Sequence, residues 1–285
     1  MLLALTRGMF VAGILSGFGA AIFSAFVFRG AVHGATERQL RGIIIASLGL
    51  ALPAGLAWLV LETIAMAETK SAADTAAQIS AVLFGTRFGQ VLILQAVASV
   101  AALMSLRRAT LATVLLGIAV LLEAGHSHPF AMGDWPLVVS QAVHLLAAGA
   151  WLGGLVPLLL AVRSAPPTDA EEMLHRFSSL ALPCVIALAG TALWQGVALS
   201  GSWAGLFYTD YGAVLLVKAA LFAVLLAIAA NNRLRMMPAL RTAEAERSRR
   251  GLVWSIAMET ALGLLVVLAA AALSGFEPGM HLDHG

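Results

Sequence analysis

An all-α fold is predicted for this chain, a polytopic transmembrane helix bundle of about eight spans with both termini extracytoplasmic. Three observations predict it. The 285 residues are 60% apolar and only 11% charged, with a mean hydropathy of +0.92, whereas a soluble globule carries about 25% charged residues. Apolar runs approaching the roughly 20 residues needed to cross a bilayer recur along the chain and leave little polar sequence for a soluble domain. The basic residues gather in alternate loops. A single integral-membrane domain over residues 1–285 follows, because a backbone in lipid must satisfy its own hydrogen bonds and helices do so locally.

The runs fall at 9–28, 42–66, 88–106, 109–124, 137–160, 180–200, 212–230 and 252–274. The first resembles a signal peptide, but its leading region holds only Arg7 and no clear small-residue cleavage site follows. An uncleaved first span is therefore expected. Between the second and third runs, apolar Ala76, Ile79, Val82 and Leu83 interleave with polar Asp74, Gln78 and Ser80. That is the pattern of a short amphipathic interfacial helix. The fourth run is the shortest, and RTAEAERSRR, between the seventh and eighth, reads as a charged, helix-prone connector that anchors topology.

Loop charge supplies the orientation. Arg29, Arg38, Arg41, Arg107, Arg108, Arg163, Arg176, Arg233, Arg235, Arg241, Arg247, Arg249 and Arg250 fall on one side. Arg7, Lys70 and Arg87 fall on the other, and Lys218 lies inside a span. The positive-inside rule makes the first side cytoplasmic. His126, His128, Met132 and the tail MHLDHG then share the outer face.

The stretch Glu123 to Leu160 carries most of the chemistry. His126 and His128 bracket one serine on a polar turn, with Met132 four residues on and Glu123 one helical turn before. The tail adds Met280, His281 and His284, where the i, i+3 spacing lets two imidazoles share one ion. Imidazole with thioether is a copper-preferring set, and thioether suits Cu(I) in particular. The ordinary reading of His126 and His128 is loop polarity or a helix cap. Gln141, His144 and Trp151 recur at +3 and +7 on the next run, so His144 and Trp151 share a face about 10 Å apart. A histidine inside a membrane helix faces a bundle interior or cavity, either as a ligand or as a core group hydrogen-bonded across helices. Trp151 has packing as its ordinary role, and Gly153 and Gly154 permit close helix approach. Lys218 and Glu259 are further intramembrane charges, placed roughly 10 Å apart along the membrane normal in a ~30 Å core. Either they relay protons or cations within the bundle, or Lys218 snorkels outward and Glu259 reaches a polar helix end. Asn231, Asn232 and Arg233 read as a cap closing the seventh span.

Several function classes are excluded or disfavoured. The net charge of +2 and pI near 9.1 come from arginines clustered in loops, which marks orientation and not nucleic-acid binding. The single Cys184 sits in an apolar run and has no internal disulfide partner. A GxxxxGK[ST] loop, a Cys-x-x-Cys site and an aspartyl-phosphate signature are missing, so no nucleotide is expected. A haem bundle needs facing axial ligands, and His144 is the one histidine clearly inside a predicted span.

In this order, these residues resemble the CopD family of bacterial copper-resistance and copper-homeostasis inner-membrane proteins. The resemblance is carried by Gly125–His126, HLLAAGAWLGGLVPLLL from His144, and Arg176–Phe177–Ser178. It continues through Tyr211, Gly212, Lys218, Asn232, Arg233, Pro238, the Glu259 span, Glu277 and Pro278. It covers a core over residues 120–278 and rests mainly on topology over the first 119. Family members carry a histidine a few residues after an arginine in the first span; here Arg7 is followed by Gly8, Met9 and Phe10. Met9 either substitutes for that histidine or the position is lost. The resemblance implies copper moved across the inner membrane toward the cytoplasm, often beside a periplasmic copper-binding CopC-like protein.

The expected function is therefore a non-enzymatic, copper-handling inner-membrane permease, with Cu(I) favoured and Cu(II) left open. The alternative is a non-transporting accessory that binds or senses periplasmic copper and hands it to a partner cuproprotein. A haem or quinone redox role ranks third.

Overall fold

The computed structural model describes residues 2–28, 34–200, 207–241 and 245–273, and no strand occurs among the described residues. Eight spans are present: Leu2–Val27, Thr36–Ala67, Arg87–Met104, Ala109–His126, Trp135–Ser164, Thr168–Leu199, Gly212–Ala239 and Ala245–Ala270. The amphipathic stretch forms the helix Ala72–Gly85. Ser71 caps its start, accepting from the Asp74 amide, and the helix lies against the second and third spans.

Several boundaries differ from those read by hydropathy. The eighth span begins at Ala245 because the charged connector is already helical there. Arg249 explains why: its guanidinium donates to the carbonyls of Val162 at 2.8 and 3.0 Å and of Ala165 at 2.9 Å. Those are orphan acceptors at the end of span five, which this arginine caps. Span five is interrupted at Gly153 and Gly154, which separate Trp135–Leu152 from Leu155–Ser164.

That interruption follows from packing. A side-chain carbon on Gly19 of span one would run into the backbone of Gly153 and Gly154, and one on Gly153 would run into the Leu15 carbonyl. Here two helix backbones meet with no side chain between them, the contact small residues permit in membranes. On another side of span one, Gly13 lies against the Ser47 carbonyl and Ala51 of span two, and Ser47 Oγ bonds Ser16 Oγ at 2.9 Å.

Span one is consequently the hub, touching spans two, four, five and eight. Its apolar stretch is 61% buried and that of span five 72%, against 11% and 6% for spans six and seven. The outer helices present their apolar faces to lipid. Two apolar clusters result, one mainly among spans one to four around Phe10, Phe18, Leu48 and Leu116, joined by Leu145 and Ala150 of span five. The other gathers spans five to eight and the end of span one around Phe23, Trp151, Leu225 and Ile256.

Candidate functional site

The alternation of spans brings the start of span one, the end of span two and the end of span four to one end of the bundle. There His126 closes a short 3-10 turn, Glu123–His126, which runs on from the fourth span. Its Nε2 lies 3.1 Å from Gln95 Oε1. Gln95, fully buried in span three, donates from Nε2 to Glu123 Oε2 at 3.1 Å and to the Ala119 carbonyl at 3.2 Å. The second oxygen of Glu123 takes Arg7 at 3.3 Å. Arg7 also lies over the Trp58 ring, 5.4 Å from its centre. Trp58 and Phe88 flank the His126 imidazole at 4.9 and 5.3 Å between ring centres. Spans one, three and four are thus tied by one chain of polar contacts, Arg7–Glu123–Gln95–His126, and span two joins through the Trp58 ring. Gln95 bridges Glu123 and His126. Gln95 and Trp58 carry no motif in the sequence; a glutamine two turns inside an apolar run is the available signal for the first.

Other predicted residues take different surroundings. His128 opens the short helix His128–Met132, and Met132 is exposed. Met280, His281 and His284 lie outside the described residues. Among the described residues, no group of three or more His, Cys, Asp or Glu is close enough to share an ion. Met9 is half-buried against the cluster of spans one to four.

His144 is half-buried in span five, its Nδ1 2.9 Å from Thr191 Oγ1 of span six. One turn nearer the His126 end, Gln195 donates to Ser140 Oγ at 3.1 Å. Gln141 makes no side-chain hydrogen bond to a described residue. Trp151, two turns beyond His144, is 1% exposed and packs edge-on against Phe222 at 6.1 Å. It forms one wall of a cavity of ≈60 Å³ in the opposite half of the bundle, together with Phe177, Ser178, Asn232, Arg233 and Glu259. Glu259 is 3% exposed and accepts from Asn232 Nδ2; Asn231–Arg233 do not close span seven as a cap, because the helix runs on through a π turn, Asn232–Met236, to Ala239. No ion pair joins Glu259 to Lys218 or to another described basic residue. Arg233 turns to Ser178, donating to its carbonyl at 2.9 Å and to its Oγ at 2.7 Å.

This fold and these interior groups define a class: a multi-pass membrane protein with imidazole, carboxylate and amide side chains buried between its helices. Two family models match it, copper resistance protein D over residues 171–273 and the copper resistance protein D-like N-terminal domain over residues 1–131. The chain belongs to the copper resistance protein D family and is a multi-pass inner-membrane protein. His144 and Trp151 lie in the stretch between the two matches.

Three curated relatives agree. The chain is 30% identical to the inner membrane protein YebZ of Escherichia coli K12 over 142 residues, which is 49% of this chain and 48% of that one. It is 31% identical over 141 residues to the copper transport protein CutJ of Bacillus subtilis 168, covering 48% of this chain and 25% of CutJ. It is 24% identical over 291 residues to copper resistance protein D of Pseudomonas syringae pv. tomato, with 92% of each chain covered. The match thus spans about half of the first relative and a quarter of the second. No solved structure matches significantly.

Proposed function

We propose that this chain is a copper permease, not an enzyme, that takes copper from the periplasm toward the cytoplasm along span five. The observation that carries the reading is the placement of His144. Its imidazole stands between spans five and six, two turns in from the His126 end and two turns from Trp151, which walls a largely apolar cavity holding Asn232, Arg233 and Glu259. A conducting path needs polar groups at successive depths, and His144 and the hydrogen-bonded Asn232–Glu259 pair are the ones proposed to supply them. His126, His128 and Met132, with Met280, His281 and His284 of the tail, are the proposed collecting ligands at the outer face. A CopC-like periplasmic protein is the proposed donor. Copper is the substrate, with Cu(I) favoured by the thioethers.

One observation favours the accessory reading. The imidazole Nε2 of His126 is already engaged by Gln95, and a protein that only docks or senses copper needs no interior path. Copper uptake into proteoliposomes of defined orientation separates the two. Uptake above that of protein-free vesicles is expected. Copper bound to the protein with no uptake would leave the accessory role instead, and a haem Soret band in the purified protein would overturn both.

A further inference from the structure

We propose that the cavity under Trp151 is a binding site for a hard monovalent cation, held by the Glu259 carboxylate and the Asn232 side-chain oxygen. Both residues are more than nine-tenths buried, Glu259 at 3% exposure and Asn232 at 8%, and both line the cavity. Asn232 Nδ2 donates to Glu259 Oε1, which fixes the amide. The reverse orientation would set the amide oxygen against the carboxylate. With Nδ2 spent in this way, Oδ1 is left buried with no hydrogen-bond partner. A buried acceptor without a donor is costly, and a buried carboxylate without a counter-charge is more so. Glu259 forms no ion pair with a described basic residue. One cation coordinated by Oδ1 and the carboxylate satisfies both at once.

Charge and softness choose the ion. The wall contributes one carboxylate, and the guanidinium of Arg233, bound to Ser178, stands in the same wall. A single buried carboxylate suits one positive charge and not a divalent ion, since the Arg233 side chain is exposed and held by Ser178 instead of pairing with Glu259. The anchoring donors are oxygens, the set hard cations prefer; Met237 is the one thioether in the wall, and no imidazole or thiolate joins it. The volume of ≈60 Å³ leaves room for several waters, each needing about 10–15 Å³ on this measure, so the ion completes its shell with water. The site shares Asn232 and Glu259 with the proposed copper path but uses none of its collecting ligands or His144, and it stands whether or not the chain transports copper.

The test contains no copper. Thermal unfolding of the purified wild-type protein in detergent is compared in sodium chloride, potassium chloride and choline chloride at equal concentration and pH. At a large excess over Kd, sodium or potassium is expected to raise Tm by at least ~3 °C over choline. Glu259→Gln, nearly the same shape, should abolish the difference, and Asn232→Ala should reduce it. Equal Tm in all three salts for the wild type would overturn the proposal, whatever the variants do. So would a Glu259→Gln protein that keeps the full cation response.

Discussion

At the scale of single residues, the polar chain Arg7–Glu123–Gln95–His126 is a unit in which each member satisfies the next. Gln95 is its centre, because its amide both donates to Glu123 and accepts at His126. Gln95→Leu removes both links and leaves a buried carboxylate oxygen and an imidazole nitrogen unsatisfied. It is expected to cost about 1–3 kcal/mol, read as a lower unfolding temperature in detergent. A Gln95→Glu change should cost more, since it sets two carboxylates together. His144 behaves differently, for its one described partner is the Thr191 hydroxyl. Losing a polar contact between membrane helices costs about 0.6–2 kcal/mol, so His144→Ala should fold and insert. If His144 carries copper, His144→Gln should abolish uptake while His144→Met, a thioether ligand, restores part of it. Cellular copper at matched membrane expression measures this, and a Gln variant that transports like wild type would return His144 to a packing role.

At the scale of elements, the contact of span one with span five decides how closely the two halves meet. Gly19→Ala puts a methyl group against the backbone of Gly153 and Gly154, and backbone cannot move aside as a rotamer does. It should destabilise by about 3 kcal/mol, at the upper end for overpacking. Gly49→Ala in span two meets nothing within 4 Å and should be neutral, or stabilising by up to about 1 kcal/mol through helix propensity. Parallel Tm measurements on the two variants test whether that backbone contact governs stability. The turn that closes span four is held by its neighbours. His126 is held by Gln95, Trp58 and Phe88, so it is ordered before any ion arrives. Replacing His126 and His128 together should therefore lower bound copper more than deleting the tail from Met280. Unchanged copper stoichiometry in both proteins would remove the outer collecting cluster.

On the scale of the whole molecule, the first family match covers spans one to four and the second spans six to eight, and span five, between them, sends Leu145 and Ala150 into the first apolar cluster and Trp151 and Leu155 into the second. Span one belongs to both, since Phe10 and Phe18 enter the first cluster while Phe23 and Val27 enter the second. The arginines at the far end reinforce this closure: Arg176 donates to the Val27 carbonyl at 3.3 Å and Arg249 to span five. These arginines lie on the side that loop charge makes cytoplasmic. Labelling from outside the cell is expected to modify a Ser127→Cys protein, after Cys184 is replaced by alanine. Protection there, with labelling of a cysteine placed at 241–250, would invert the orientation.

The spans and their number were legible in the sequence because crossing a bilayer depends on length and hydropathy, which are local and additive along the chain. The interfacial helix Ala72–Gly85 was legible for the same reason, its amphipathic period lying within one segment. Gly153 and Gly154 could be read as a close approach, but not that Gly19 would be what approaches. Helices in lipid have no hydrophobic drive to pair; small residues and hydrogen bonds choose the partners, and those matches join residues far apart in the chain. Gln95 with His126, His144 with Thr191, and Asn232 with Glu259 are 31, 47 and 27 positions apart. Hydropathy marks each as a polar residue in an apolar run and assigns it no partner. The sequence by itself determined a membrane protein of eight spans and named the imidazoles and carboxylates that lie in or beside them. Only the tertiary structure decided which of those groups face one another, because facing depends on the rotation of each helix about its own axis, and packing against neighbours sets that rotation.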